Sequence, residues 1–367
     1  MPPTVLSRPS DGGGAEREVL PMFLKNQWYV AAWSTEIGRT PLARRIAGVP
    51  VVLFRDGSGR AAALEDRCPH RLAPLSLGKL VDDGLQCGYH GATFDASGRC
   101  VRVPGNPLPK NGDAHAFPLI EKWGWAWIWL GEPDRADERS LPGFHWQSEP
   151  GWAPIGGTLH FKAHYQLLID NLLDLSHEAF LHLATIGNGA VAEVPAETTA
   201  RGNKVWVKRF MTDCAPPPLF VRARGFTGNI DRLQDIEFTP PCYVNITVRA
   251  TPTGTTGSSG ALQWQVLNAL VPETEGTTHY FWGMPRQFLV DDREVDAMLK
   301  DAIVRTFNED KDMLEAQQVV LDECSLNDRT LLTLADAGPT RARGVVSRLI
   351  REERGVGADT DLHALSR

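Results

Sequence analysis

Short apolar runs separated by turn-forming residues make up the first third of the chain. Examples are residues 51–54, 61–64 and 125–130, and Gly, Asp or Pro residues bound each of them. Short runs of this kind between turn residues are typical of β-strands. The pattern therefore predicts an all-β domain over residues 22–135, which ends near a stretch rich in Pro, Asp and Glu at 132–142.

The following residues, 136–355, mix two periodicities and predict an α+β domain. We expect strands at residues 201–207, 238–249, 262–270 and 280–284. A first helix is predicted over 166–183. A second is predicted over 291–321, where less polar residues recur at intervals of three and four.

Three segments have the composition of mobile chain. Residues 1–21 and 356–367 predict flexible tails, and the Gly-, Ser- and Thr-rich stretch 251–260 predicts a mobile hairpin loop. The first 19 residues are rich in Pro, Gly and Ser and lack the apolar core of a signal peptide.

Composition excludes several functional classes. The chain has 367 residues, 42% hydrophobic and 23% charged, as ordinary globular proteins do. A net charge of −7 without any basic run argues against nucleic acid or an anionic membrane as partner. No apolar stretch is long enough to span a bilayer. Six scattered cysteines predict no disulfide framework and fit a reducing cytoplasm.

Two Cys/His pairs in the predicted all-β domain indicate a metal site. Cys68 and His70 form a C-x-H pair, and Cys87 and His90 form a C-x-x-H pair after a gap of 16 residues. Two thiolates and two imidazoles could hold zinc. They are also the ligand set of a Rieske [2Fe–2S] cluster, with thiolates on one iron and imidazoles on the other. One Cys and one His per loop favour the cluster. The remaining cysteines are expected to be buried and to pack as apolar residues; they are Cys100, Cys214, Cys242 and Cys324.

A second metal site is predicted on the first helix of the α+β domain. Asp174 and His177 lie three residues apart on one helix face, while His177 and His182 are five apart. A local helix irregularity or a helix end would bring the two imidazoles together. Two imidazoles and a carboxylate form the facial triad of non-haem Fe(II) oxygenases, so a further carboxylate is needed.

Helix periodicity identifies that carboxylate as Asp310. The apolar stripe of the long helix runs through Ile303, Thr306 and Phe307 and continues at Met313, and Asp310 falls on it whereas Glu309 does not. An acidic residue on an apolar face costs free energy unless it is paired or binds a metal. The alternatives are a solvated edge position or an ion pair with a buried Arg.

The two motifs resemble those of Rieske non-haem iron oxygenase α-subunits. The stretches 68–78 and 87–98 look like cluster-binding loops, although Ala92 replaces the usual larger residue. The stretch 170–182 and the segment 307–310 are similar to the family's iron-binding regions. The resemblance is to the vanillate O-demethylase oxygenase type and covers residues 23–353.

That resemblance implies a fold and a reaction. The expected fold is an all-β Rieske domain followed by a helix-grip catalytic domain, an antiparallel sheet around a long helix. The expected reaction is NADH- and O₂-dependent O-demethylation of a methoxylated aromatic acid to a phenol and formaldehyde. Because residues 1–367 contain no dinucleotide-binding fingerprint, NADH should act through a separate flavin/[2Fe–2S] reductase.

Further expectations concern assembly and substrate. The family implies a homotrimer in which Asp174 links the iron site to His90 of a neighbouring chain, and spacing suggests that the Asp174 carboxylate also orients His177. Candidate substrate contacts are Asn171 and, for an acid group, Arg222, Arg224 and Arg249.

Two alternative functions remain open at this point. One is the same machinery acting by hydroxylation or N-demethylation on another aromatic or heterocyclic substrate. The other is a non-catalytic Rieske electron carrier or a zinc protein. The second alternative leaves His177, His182 and Asp310 without a role.

Overall fold

Eleven short strands form the N-terminal half of the computed structural model, which describes residues 23–255, 260–323 and 331–355. The strands are β1 (Trp28–Trp33), β2 (Leu42–Ile46), β3 (Val49–Arg55), β4 (Ala61–Glu65), β5 (Lys79–Val81), β6 (Gly84–Gln86), β7 (Thr93–Phe94), β8 (Cys100–Arg102), β9 (Ala116–Phe117), β10 (Leu119–Lys122) and β11 (Trp125–Trp129). They pair antiparallel in three small sheets, ordered β1-β11-β10, β2-β3-β4-β9 and β5-β6-β7-β8. The sheet of β5 to β8 carries one of the Cys/His loops.

A larger sheet organises the C-terminal half. Its strands are β12 (Ala153–Phe161), β13 (Glu197–Arg201), β14 (Lys204–Cys214), β15 (Ile230–Thr239), β16 (Tyr243–Pro252), β17 (Leu262–Pro272) and β18 (Thr278–Arg286). They pair antiparallel in the order β12-β18-β17-β16-β15-β14-β13. The helices are α1 (Tyr165–Leu173), α2 (Glu178–Leu181), α3 (Ala190–Glu193), α4 (Pro218–Arg224), α5 (Arg293–Glu323) and α6 (Ala337–Glu353).

Helix α5 is held against this sheet by aromatic packing. The ring of Phe307 lies 5.1 Å from that of Tyr280 and 5.6 Å from that of Trp282, both on β18. The helix begins where the Asp292 carboxylate accepts hydrogen bonds from the backbone N–H groups of Glu294 and Val295. The stripe predicted from the sequence is buried, Asp310 included, except that Met313 is 55% exposed.

The two halves share one apolar core. The Tyr243 hydroxyl donates to the Trp28 carbonyl at 2.6 Å, and the Ala47 amide donates to the Pro272 carbonyl at 2.7 Å. A separate small core containing Cys68, Cys87 and Leu75 lies under the Cys/His loops. The predicted sequence of an all-β domain and an antiparallel sheet with a long helix is confirmed.

Several predicted elements have different bounds. The helix expected over 166–183 ends at Leu173, because Asp174 adopts extended φ and ψ, and resumes as a 3₁₀ turn and then α2. The strand expected over 238–249 is two strands, since Pro240 and Pro241 cannot donate to a ladder. The strand expected over 201–207 spans the turn between β13 and β14.

Some predictions fall on residues that the structure does not describe. These are the N-terminal tail, the C-terminal tail from residue 356, Cys324 and positions 256–259 of the predicted hairpin loop. Among the described residues, no helix combines the length and apolar character needed to cross a membrane.

Candidate metal centres

The two Cys/His loops have matching backbone hydrogen bonds. The Cys68 amide donates to the carbonyl of Ala73, and the Cys87 amide donates to the carbonyl of Ala92. Four residues after each cysteine, Leu72 and Gly91 donate back to the cysteine carbonyl. Both have positive φ, +56° at Leu72 and +76° at Gly91, which turns the two loops in the same way.

The four side chains of these loops are divided into an inner and an outer pair. Cys68 and Cys87 are 2% and 3% exposed and lie in the same small buried core. Burial raises the pKa of the Cys68 thiol. The imidazoles of His70 and His90 are exposed and lie in edge contact, with ring centroids 4.7 Å apart.

This arrangement fits a diiron cluster better than a zinc ion. A single zinc ion needs all four donors around one point. Donor atoms of these residues do not converge within 4.8 Å, in contrast to another group among the described residues. Two adjacent sulfurs below two adjacent imidazoles suit a [2Fe–2S] unit with thiolates on one iron and imidazoles on the other.

The converging group is the predicted triad of His177, His182 and Asp310. Its ligand atoms all lie within 4.8 Å of one another. Asp310 Oδ1 is 3.1 Å from His182 Nε2 and 3.4 Å from His177 Nε2. Side-chain exposure is 24% for His177 but only 1% and 7% for His182 and Asp310. The group therefore opens on the His177 side.

Mutual hydrogen bonding determines the charge of the triad. Burial disfavours the carboxylate, yet hydrogen bonds with His177 and His182 outweigh it and lower the pKa of Asp310 to about 2. Burial also acts against charged imidazoles, but Asp310 raises the pKa of both His177 and His182 above the usual value. Independently of these shifts, the two imidazoles in their neutral form and the carboxylate are the donor set of a ferrous ion bound in facial geometry, and their ligand atoms lie close enough together to share one ion.

Each imidazole is oriented through its Nδ1 atom, which leaves Nε2 for a metal. His182 Nδ1 lies 2.7 Å from Glu309 Oε2, and His177 Nδ1 lies 2.6 Å from the backbone carbonyl oxygen of Asp174. Glu309 lies off the apolar stripe of α5, so the sequence pattern did not predict this contact. Its position immediately before Asp310 was the available signal.

The prediction that the Asp174 carboxylate contacts His177 is wrong, because a different group of Asp174 makes the contact. The helix breaks at Asp174, so its carboxylate accepts hydrogen bonds from the amide and hydroxyl of Ser176. The backbone carbonyl of Asp174 faces the imidazole in its place. The same break solves the spacing problem, because it brings the ring centroids of His177 and His182 to 5.1 Å.

Asn171 is brought to the triad, whereas the predicted arginines lie elsewhere. Asn171 Nδ2 donates to Asp310 Oδ1 at 3.0 Å and lies 3.4 Å from His177 Nε2. Arg222 is exposed on α4 and Arg249 is exposed on β16. Arg224 Nε donates to the Ala261 carbonyl, and its guanidinium lies 5.9 Å from the Phe288 ring centroid.

Comparison with known proteins agrees with both centres. Residues 27–112 match the Rieske [2Fe-2S] domain, and residues 161–352 match the vanillate O-demethylase oxygenase C-terminal domain. The chain is 36% identical over 346 residues to the toluene-4-sulfonate monooxygenase system iron-sulfur subunit of Comamonas testosteroni, covering 91% of this chain and 99% of that one. It is also 36% identical over 355 residues to the vanillate O-demethylase oxygenase subunit of Pseudomonas sp. strain HR199, covering 94% and 99%.

A solved structure extends the likeness to three dimensions. Dicamba monooxygenase bound to 3,6-dichlorosalicylic acid superimposes with a TM-score of 0.87 at 33% identity, over 90% of this chain and 99% of that one. Another structure of that enzyme contains non-haem iron. Both predicted iron centres are therefore confirmed as cofactors of this family. The chain belongs to the Rieske non-haem iron oxygenases, within the family defined by the vanillate O-demethylase oxygenase C-terminal domain.

Proposed function

We propose that this monooxygenase component uses Cys68, His70, Cys87 and His90 to hold the cluster and His177, His182 and Asp310 to hold iron. The observation that carries the proposal is the convergence of the three buried or half-buried donors of the second site within 4.8 Å. The cluster supplies electrons singly, and the ferrous ion supplies the site of O₂ reduction.

The proposed substrate is a methoxylated aromatic acid similar to vanillate. In the balanced reaction, ArOCH₃, O₂, NADH and H⁺ give ArOH, HCHO, NAD⁺ and H₂O. The support is the likeness to the vanillate subunit and to dicamba monooxygenase. We further propose that NADH is oxidised by a separate flavin/[2Fe–2S] reductase. Related chains are named as oxygenase components, which implies such a partner.

A second candidate is oxidation of a methyl group on an aromatic sulfonate. The similarity to the toluene-4-sulfonate monooxygenase subunit favours it. Both candidates place a substrate methyl group next to the iron and keep an anionic group at the other end of the ring. They differ in whether the methyl carbon leaves as formaldehyde.

The chain's own residues would orient the ligands and exclude water. Asn171 and Glu309 hold Asp310 and His182, and the Asp174 carbonyl holds His177. Phe307, one helical turn before Asp310, packs against the rings of Tyr280 and Trp282, and all three side chains are buried. Buried apolar packing next to the carboxylate would help to keep water from the site.

We also propose that the chain functions as a homotrimer in the cytoplasm. Exposed apolar residues surround the cluster loops at Leu72, Leu77 and Tyr89, each at least 61% exposed. Others flank the iron ligands at Phe180 and Leu183, which are 76% and 58% exposed. Exposed apolar patches are typical of interaction sites. Joining the two patches across copies would bring His90 of one protomer towards Asp174 of the next.

A substrate panel tests the chemistry. The purified protein, with a surrogate reductase, NADH and O₂, is incubated with methoxybenzoates, vanillate and toluene-4-sulfonate. Formaldehyde equal to NADH consumed, together with the matching phenol, is the expected result for at least one methoxybenzoate. An alcohol from toluene-4-sulfonate without aldehyde from any methoxybenzoate would establish the second candidate in its place.

Metal analysis tests the centres independently of substrate. Three irons and two acid-labile sulfides per chain, with the absorption of a Rieske cluster, are expected. Zinc in place of iron, or only two irons, would contradict the assignment. Sedimentation at a known concentration tests the trimer.

A further inference from the structure

A buried charged group lies beside the iron site on the inner face of the large sheet. Arg232, Gln234 and Glu178 are 1%, 1% and 3% exposed. Arg232 Nη2 donates to Glu178 Oε2 at 2.8 Å, and Gln234 Nε2 donates to both carboxylate oxygens at 3.0 Å. A buried ion pair adds little net stability compared with apolar residues of similar volume. Its contacts therefore indicate that this pair positions the chain segments that it joins.

The contacts of Arg232 join the two chain segments that carry the imidazoles. Glu178 directly follows His177 in the chain. From the same guanidinium, Nη1 donates at 3.1 Å to the carbonyl of Ile186, in the turn after His182. One side chain from β15 therefore holds both ligand segments.

The turn after His182 packs tightly against the segment that carries His177. The amides of Thr185 and Gly187 both donate to the His182 carbonyl, at 3.0 and 2.9 Å. A Cβ atom at Gly187 would lie 2.0 Å from the carbonyl oxygen of Glu178. The two segments thus touch through their backbones, directly beside the Arg232 contacts.

Neighbouring groups fix the guanidinium itself. Its carbon lies 4.9 Å from the centroid of the Phe220 ring on α4. Its Nε atom is buried without a hydrogen-bond partner among the described residues, so its two terminal nitrogens provide its hydrogen bonds. Behind Gln234, the Arg209 guanidinium donates to Gln234 Oε1 at 3.3 Å and to the Val194 carbonyl at 2.8 Å.

We propose that Arg232 and Glu178, supported by Gln234, are positioning residues that set the spacing of His177 and His182 for the iron. Asp310 comes from α5, a separate element, so the imidazole pair has to be aligned to it from the sheet. This inference rests on the proposed assignment of His177 and His182 as iron ligands.

The test is the double substitution E178Q/R232M in the holoenzyme. It removes both charges together, keeps an acceptor for Gln234 and avoids leaving one unpaired buried charge. We expect release of ferrous iron to a chelator to become about tenfold faster, as for losses of groups that orient metal ligands. Turnover number should fall about tenfold with KM within twofold, while the visible spectrum of the cluster is unchanged.

A matched control is D296N. The Asp296 carboxylate pairs with Arg286, whose side chain is fully buried, at the start of α5 in the same domain. This variant should lower thermal stability yet release iron at the wild-type rate. Equal acceleration in D296N and in the double variant would show a general effect of destabilisation and overturn the proposal.

Other outcomes are also decisive. Wild-type iron release and turnover in a folded E178Q/R232M enzyme would overturn the positioning role. If that variant does not fold, Q234L keeps both charges and should release iron about threefold faster, a smaller effect than full loss of an orienting group. An unchanged rate in Q234L would then refute the proposal. Retention of iron by H177A would instead refute the ligand assignment itself.

Discussion

The two metal centres are built in opposite ways. The proposed cluster donors lie between residues 68 and 90, on two loops whose own backbone hydrogen bonds shape them. The proposed iron donors come from the 3₁₀ turn that ends at His177, from the end of α2 at His182 and from α5, and His182 and Asp310 are 128 residues apart in sequence. The first centre uses donors from neighbouring loops over a small core of their own, while the second requires that the segment after α1 packs against α5.

The two centres also differ in how far their histidines are exposed to solvent. His70 and His90 are exposed, whereas His182 is 1% exposed. An exposed cluster can exchange electrons with another protein, and a buried iron site can exclude water during oxidation. Because the two groups of donors share no residue, we expect that a mutation can remove one centre and leave the other.

The largest expected effect is that of D310A. Removal of the carboxylate leaves only two imidazoles to bind the iron. The turnover number should therefore fall below about one hundredth of the wild-type value, a greater loss than for a residue that only orients a ligand. Visible absorption and acid-labile sulfide should stay at wild-type levels. Loss of the cluster in D310A would show that the two centres are not independent.

The reciprocal change is C87S. We expect loss of the reddish-brown colour and of NADH-driven turnover, because a hydroxyl is a poor substitute for a thiolate ligand. Ferrous iron binding at the other centre, measured by titration, should remain within about twofold of wild type, since the loop lies in the separate small core. If C87S also lost ferrous iron binding at the second centre, the cluster loops could not be structurally independent of that centre.

A smaller effect is expected for D174N, which tests the connection between the centres. Both metals should stay bound, since the backbone carbonyl and not the carboxylate contacts His177. Electron transfer from reduced cluster to iron, followed by stopped-flow absorption, should slow by about tenfold or more. Normal turnover in D174N would rule out the proposed bridge between protomers.

E309Q should affect the iron centre alone and more mildly. The amide keeps the shape next to His182 but removes the charge that orients its Nδ1–H. Iron affinity should fall about tenfold, with the cluster spectrum unchanged. E315Q on the same helix is a matched control, because Glu315 accepts a hydrogen bond from the Lys162 amide away from the triad.

The last prediction concerns acid stability of the iron-binding half and not the metal centres themselves. Burial, with a smaller contribution from Arg343, lowers the pKa of His164 to about 4, and the neutral Nδ1 of His164 caps α1 by accepting from the Gln166 amide. Because this pKa is lower in the folded than in the unfolded chain, the unfolded chain binds the extra proton. The free energy of unfolding should therefore fall by about 2 kcal/mol between pH 6.5 and 4.

A substitution isolates that contribution. H164N retains a capping oxygen without a titrating group, so chemical denaturation at pH 4.5 and pH 7 should show a smaller difference than in wild type. An identical pH dependence in H164N would assign the acid sensitivity to other groups, such as His279, whose pKa burial also lowers to about 4.

The sequence by itself determined the parts that depend on neighbours along the chain. Cys68, His70, Cys87 and His90 could be proposed as cluster ligands because a loop motif is complete within its own residues. Asp310 was found because helix periodicity is local and the buried stripe of α5 follows it. The domain limits near residue 135 and the two tails stay predictions.

Only the tertiary structure decided the parts that depend on distant contacts. The break at Asp174, which turns its carbonyl towards His177, follows from how the segment after α1 packs and not from its helical pattern. The contacts on which the proposed roles of Glu309 and Arg232 rest join them to partners 127 and 54 residues away. Such pairs leave no periodic signal, because their hydrogen bonds form only when separate elements meet in the folded core.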